Sequence, residues 1–380
     1  MDAEGITVAD NGPGLPAGTI SDILDFLVRV SSREAYVSPT RGAQGNALKT
    51  VLAMPFVLDG NIGRVDITAH GQRHEITFSV DRIRQGPAVS ETQHPAGNVK
   101  NGTIVKMWWP VSASSILEEA KARFLQLADD YTHLNPHLSL EVRWFGERTR
   151  TEATDSEWRK WLPSEPTSPH WYGVEEFERL LSAYIAHDQD GGADRSVREV
   201  VKEFRGLTGT AKQKVVLDKT GLSRVNLSAL VNCSGLRHDV VAGLLDTIKA
   251  QSKPVKPAAL GIIGRDHIRA RFQSLDCVME SFDYRKTAQT GSDGLPVVIE
   301  TAFAWRGEKS DKPRRLITGV NWSPGIVNPF RSLGNAYGDG LDALLEKRFA
   351  GHDEPIVFLL HCACPRVQYV DRGKSGVVVE

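Results

Sequence analysis

The chain has 380 residues, with 46 basic and 47 acidic side chains and four cysteines. That length admits two or three domains with real cores; the near-neutral charge excludes a globally basic nucleic-acid binder while allowing a local basic face, and the sparse cysteines exclude a disulfide framework. No run of about 18 apolar residues and no charged-then-apolar leader is present, so we expect a soluble, cytoplasmic protein without a membrane span.

The first element is a short strand, "ITVAD", running into Asn11-Gly12-Pro13-Gly14. Asn-Gly and Pro-Gly make tight turns without any ligand. Equally, a strand ending in a carboxylate, with glycines behind it, can present an acceptor to a nucleotide base while the backbone comes close. Apolar residues at 20, 23, 24, 27 and 28 form a helical stripe over residues 19–30. A glycine-bearing loop follows, and the pattern turns helical again from about Ala47 to Leu58. The segments "GRVDITAHG", "RHEITFSVDRI", "GTIVKMWWP" and "LSLEVRW" alternate as strands of a mostly antiparallel sheet, with a helix over "SSILEEAKARFLQLADDYTHL" before the last. Together these describe an α+β fold.

Residues 150–170 are polar and proline-bearing and read as a linker. Residues 174–253 are helical, and the prolines of "KPVKPAAL" close that section. The remainder is α+β, with strands in "PVVIETAFAWRG", "RLITGVNW" and "EPIVFLLHCAC" and a helix near "DGLDALLEKRF". Cys362 and Cys364, two apart on a strand, point to one face and read as buried structural thiols, because no second ligand pair follows at zinc spacing.

Several stretches, in order, resemble the GHKL (Bergerat) nucleotide-binding fold of gyrases, histidine kinases, mismatch-repair ATPases and certain chaperones. The Asp-x-Gly-x-Gly box of that family matches Asp10, Gly12 and Gly14; its aspartate accepts the adenine amino group. Within the family, "SPTRGAQGNALKTVLAM" resembles the B subunit of DNA topoisomerase VI, whose Arg-Gly-Gln-Gln-Gly run wraps the triphosphate. Here Arg41, Gly42, Gln44 and Gly45 match, and the resemblance implies that Arg41, Gly42, Ala43, Gln44, Gly45, Asn46, Ala47 and Leu48 cradle phosphates. Convergent amides and a helix N-terminus suit that task. Asn46-Ala47 departs from the family's Ile-Gly.

Three further segments resemble the same subunit. Asn135-Pro136-His137 resembles its turn after the long helix, and "AALGIIGRDHI" resembles the opening of its transducer domain, with departures at Ile263 and Arg265. "CPRVQYVDRGKSGV" resembles the segment whose lysine reaches the γ-phosphate, which places Lys374 in that role; taken alone, Lys374 reads as a solvated tip residue. Thr103 would support the adenine pocket. The helical middle resembles a helix-two-turn-helix insert in which Lys212, Lys214, Lys219 and Arg224 either face phosphates or form a solvated basic face.

The resemblance implies three parts: residues 1–165 as a GHKL domain lacking its first helix, 166–254 as the helical insert, and 255–380 as a transducer-like domain. It implies ATP and Mg2+ as cofactors. Its implied partners are DNA, a second copy of the chain in a nucleotide-dependent homodimer, and a topoisomerase VI A-like cleavage subunit. The family's glutamate base and magnesium-binding asparagine sit on a helix before the first strand, and no counterpart precedes Asp10. We therefore expect ATP to be hydrolysed poorly or not at all. The alternative is a GHKL-derived nucleotide switch, or a DNA- or protein-binding module without turnover; a third reading is an α+β protein whose turns imitate these boxes.

Overall fold

The computed structural model describes residues 1–24, 35–40, 46–83, 85–97, 101–189, 193–233, 235–307, 312–333, 339–371 and 375–378. The chain divides into two compact units. The first comprises Met1–Ser31, Gln44–Ala128 and Leu140–Thr151; the second comprises Ser32–Ala43, Asp129–Ser139 and Glu152–Glu380.

The first unit begins with β1 (Gly5–Ala9), α1 (Ala17–Leu24) and α2 (Asn46–Asp59). Strands β2 (Gly63–Ala69), β3 (Gln72–Asp81), β4 (Gly86–Pro95) and β5 (Thr103–Trp108) follow. Next come α3 (Ser114–Leu134), whose residues from Asp129 on belong to the second unit, β6 (Leu140–Trp144) and β7 (Glu147–Thr151). Five strands form one sheet in the order β1-β5-β2-β3-β4, each pair antiparallel. Alternation sorts the faces. Val65, Ile67, Ile76, Phe78 and Met107 point inward and bury against Ile20 of α1 and Leu52 of α2. Gly63 lets α2 lie directly on the start of β2, since a Cβ there would sit 2.3 Å from the Phe56 nitrogen. The opposite face is polar: the Asp66 carboxylate accepts from Arg73 Nη2 (2.9 Å) and Trp108 Nε1 (2.8 Å), and Lys106 lies 3.6 Å over the Trp108 ring.

One expectation changes here, and one strand was not anticipated. "LSLEVRW" does not join the main sheet; β6 pairs with β7 in a separate hairpin, turned by Phe145 and Gly146, both at positive φ. Edge strand β4 has no amphipathic signal, because most of its side chains are exposed and prolines stand near both ends.

In the second unit α4 (Val174–Gln189), α5 (Val197–Lys202), α6 (Thr210–Thr220) and α7 (His238–Ala250) form the helical section. A small hairpin of β8 (Val231–Asn232) and β9 (Gly235–Leu236) interrupts it. A capping box of Ser196 and Glu199 starts α5. Then come α8 (Arg265–Gln273), β10 (Asp283–Thr290), β11 (Pro296–Trp305), β12 (Arg315–Val320), β13 (Ser323–Pro324), α9 (Leu341–Glu346) and β14 (Ile356–Ala363). The sheet order is β10-β11-β14-β12-β13, with β12 and β14 parallel. Central β14 is apolar on both faces. Val357, Leu359 and Ala363 join a core shared with Phe177, Val216 and Leu244 of the helical section and Phe272 of α8. Ile356 and Leu360 face a second core with Leu341 and Leu345.

Residues 150–170 are not a loose linker. Trp161 within them and Trp171 just beyond are both buried with ring centroids 4.9 Å apart, because aromatic area overrides the polar composition. The two cysteines do not share a face either: Cys362 packs on the second core, whereas Cys364 lies past the strand's last residue and joins the first. Both thiols are shifted upward by burial, Cys362 to about 12. The α+β expectation holds. Among the described residues, no helix is long and apolar enough to cross a membrane.

Candidate functional site

The residues that build a site in the first unit are set by strand pairing. Strand β1 runs antiparallel to β5 with Ala9 opposite Ile104, so the next residue of β1, Asp10, arrives beside Thr103. The Asp10 N–H donates to the Thr103 carbonyl (2.9 Å), and the Thr103 hydroxyl accepts from the Leu15 N–H (3.2 Å). Thr103 is buried; Asp10 is exposed, and its carboxylate accepts from the Gly12 N–H at 2.7 Å in an Asx turn. Asp10, Gly12, Gly14 and Thr103 therefore gather at one end of the sheet.

Sequence reasoning passed over two members of this cluster. Gly102 has φ +88, and a Cβ on it would lie 1.9 Å from the Asp10 carbonyl oxygen. His70, the first residue of the two-residue turn joining β2 and β3, has φ 48 and places its Nε2 3.0 Å from where a Gly14 Cβ would be. The signal for both was the register: β2 lies beside β5, with Ala69 opposite Thr103, so the turn after β2 reaches the same sheet end.

Asn46, Ala47 and Leu48 form the first turn of α2. Arg41, Gly42, Ala43, Gln44 and Gly45 lie outside the described residues, as does Lys374. Glu4, the glutamate before β1, sits at the strand's other end from Asp10, with Lys106 Nζ 2.5 Å from its carboxylate.

The second unit holds the remaining motif residues. Asn135, at the end of α3, is buried; its amide donates to the Tyr131 and Trp322 carbonyls (both 2.9 Å) and its oxygen accepts from Lys160 Nζ at 2.6 Å. Burial pulls the Lys160 ammonium down to about 8. His137 stacks on Trp158 with ring centroids 5.2 Å apart. Along "AALGIIGRDHI", the amides of Ile263 and Gly264 both donate to the Glu300 carboxylate (2.9 Å each), which also accepts from the Tyr284 hydroxyl at 2.8 Å and lies 3.4 Å from His361 Nδ1. Burial works to raise the Glu300 carboxyl, yet His361 and the two amides hold it below its ordinary range.

The Asp10 end offers one exposed carboxylate and a threonine hydroxyl, and at Gly102 a side chain has no room, since its Cβ would meet the Asp10 backbone at 1.9 Å. Among the described residues, no group with metal-ligand spacing stands at the Asp10 end. Among the described residues, one cluster has ligand-like spacing: Asp129, Asp130 and His133 of the second unit. There Arg315 Nη2 contacts both carboxylates at 2.7 and 2.6 Å and already supplies the cation. Asp130 is pushed up to about 6 by burial against the pull of Arg315, and His133 is pulled down to about 4 by burial.

No family model and no curated protein sequence matches the chain. Similar solved structures include the N-terminal domain of a DNA repair protein (10% identity, TM-score 0.38, covering 100% of this chain and 80% of that one). The gyrase B subunit of Myxococcus xanthus shares 10% identity at TM-score 0.36, covering 99% and 75%. The ATPase region of Saccharomyces cerevisiae topoisomerase II, bound to dexrazoxane, shares 10% identity at TM-score 0.37, covering 98% and 68%. At these TM-scores the likeness assigns neither fold nor activity to this chain.

Proposed function

We propose that the chain is a nucleotide-binding protein of GHKL type, with adenine held at the Asp10 end of the first sheet. One observation carries the reading: the carboxylate delivered by the end of β1 stands where the backbone of Gly12, Gly14 and Gly102 and the side chain of Thr103 converge. An exocyclic amine would replace the Gly12 N–H as donor to Asp10, a charge-assisted exchange that leaves no acceptor unpaired. Thr103 fixes the approach by holding both Asp10 and Leu15 through its own backbone and hydroxyl. Residues 41–48 would take the phosphates and Lys374 would sense the terminal one.

The carboxylate of Glu4 is engaged by Lys106 at the far end of β1, and Asp2 accepts from the Glu4 and Gly5 amides, so neither acid serves as a base near Asp10. The finer reading adds a magnesium ion, a nucleotide-dependent homodimer, DNA passage and a topoisomerase VI A-like cleavage subunit; it rests on the order of the resembling segments along the chain.

Calorimetric titration of the full chain with a non-cleavable ATP analogue tests the core of this reading. Asp10→Ala, at an exposed position, should leave the fold intact and weaken binding about 10- to 100-fold, the size of one hydrogen bond to a charged group. Affinity unchanged by that substitution, or no affinity in the parent chain, overturns it.

A further inference from the structure

We propose that a cleft in the second unit, between the α5–α6 loop and residues 253–259, binds a phosphate-bearing anion. The cleft encloses about 360 Å3, within the range of small-ligand sites. Arg205, Lys212, Lys253 and Lys256 line it together with Pro254 and Val255, and among the described residues no carboxylate does. The chain as a whole balances 46 bases against 47 acids, so four cations around one cavity are a local excess.

Some exposed arginines elsewhere sit beside acids: Arg143 and Arg148 on Glu141, Arg179 on Glu176, Arg285 on Asp283. Among the described residues, one of the four cleft cations has a carboxylate within 4.0 Å. Arg205 lies 4.6 Å over the Trp161 ring, with the Glu165 carboxylate at 4.0 Å, and Lys212 Nζ donates to the Gly206 carbonyl at 3.0 Å. Lys253 and Lys256 have no carboxylate within 4.0 Å among the described residues. Mutual repulsion of such a set is relieved by an anion, and phosphate oxygens suit both the guanidinium fork and the ammonium point charges.

The loop is prepared for that charge. Buried Gln213 donates to the Leu207 and Thr208 carbonyls (2.9 and 3.0 Å), so with Lys212 on Gly206 three successive carbonyls already have donors. Helix α6 begins at Gly209, which offers its first-turn amides no side-chain cap. On the opposite wall Val255 is buried between Pro254 and Lys256, and Pro257 follows, so prolines and one anchored apolar side chain hold the two lysines on a stiffened segment.

Two sources share this chemistry: a nucleic-acid backbone and a free polyphosphate. The full chain is titrated with a labelled short DNA duplex by anisotropy and with inorganic tripolyphosphate by calorimetry, each at several salt concentrations. Lys253→Glu/Lys256→Glu should weaken at least one probe about tenfold or more, with Lys253→Gln/Lys256→Gln intermediate. For the duplex, the salt slope should fall by about 1 per lysine. The control pair Lys286→Glu/Lys312→Glu, exposed in the second unit but outside the cleft, should change little. Loss of duplex alone identifies the polymer backbone, and loss of tripolyphosphate identifies free phosphate; either supports the cleft. Equal loss in the control pair, no loss in the cleft pairs, or no binding of either probe overturns it. Titration of the same samples with the ATP analogue reports separately on the Asp10 end, which shares no residue with the cleft.

Discussion

Gly102→Ala isolates the packing on which the Asp10 cluster depends. At φ +88 an alanine carries the left-handed penalty of about 1–2 kcal/mol. Its Cβ would also fall 1.9 Å from the Asp10 carbonyl oxygen and 2.9 Å from the Asp10 carbonyl carbon, both backbone atoms, so the end of β1 must move. Overpacking of that kind adds about 1–3 kcal/mol, for a total of about 2–5. Gly60 is the matched control: φ is +83, but nothing lies within 4 Å of its would-be Cβ, so Gly60→Ala incurs the strain alone. Urea unfolding of the full chain measures both. Displacing the Asp10 peptide also disturbs its 2.9 Å bond to Thr103 and re-aims the carboxylate, so the affinity of folded G102A for the ATP analogue should fall about tenfold or more. If G102A is no less stable than G60A and binds nucleotide as the parent does, the close approach of Gly102 to Asp10 is not what shapes this end of the sheet.

Glu300→Gln removes the charge that two amides, a tyrosine hydroxyl and His361 surround, and should cost about 3 kcal/mol or more in urea unfolding. Because the folded Glu300 carboxyl lies below its ordinary 4.5, its contribution is present above that pH and is lost as pH falls through the folded value; stability of the parent should drop there and that of E300Q less steeply. His133 and His267 are each pulled from 6.5 to about 4 by burial, so the unfolded chain binds protons first and stability should decline between pH 6.5 and 4; a flat profile of urea midpoint against pH refutes their burial in neutral form. Burial raises Cys277 to about 11 and Cys362 to about 12, and raises Cys364, whereas Cys233 is exposed. A thiol reagent at neutral pH should therefore modify Cys233 quickly and the other three on unfolding, and rapid reaction of all four contradicts the packing of β14.

Alternation and helical periodicity made most elements legible. The stretch over 114–134 forms α3 over those same residues, and β2, β3, β5, β11, β12 and β14 follow their apolar patterns. What escaped has a common cause: β7 and β10 expose nearly every side chain and β4 most of them, so no period marks them, and α8 buries Ile268 and Phe272 amid charges that mask its stripe. At the site, Asp10, Gly12, Gly14 and Thr103 could be nominated one by one. Gly102 and His70 could not, because their place beside Asp10 is set by pairing between strands more than ninety residues apart in the case of β1 and β5, and through β5 for β2.

The two units are interleaved along the polymer: the chain passes between them five times, after residues 31, 43, 128, 139 and 151. A protease cut at any one of those passages frees neither body. Expressing residues 152–380 alone would leave behind Leu134, a buried member of that unit's own core, along with Tyr36 and Val37, which pack against it, and Asn135, which ties Lys160 to Trp322. Dissection into halves, the usual route to assigning activities to parts, would here yield misfolded fragments; each half must be studied by silencing residues in the other within an intact molecule.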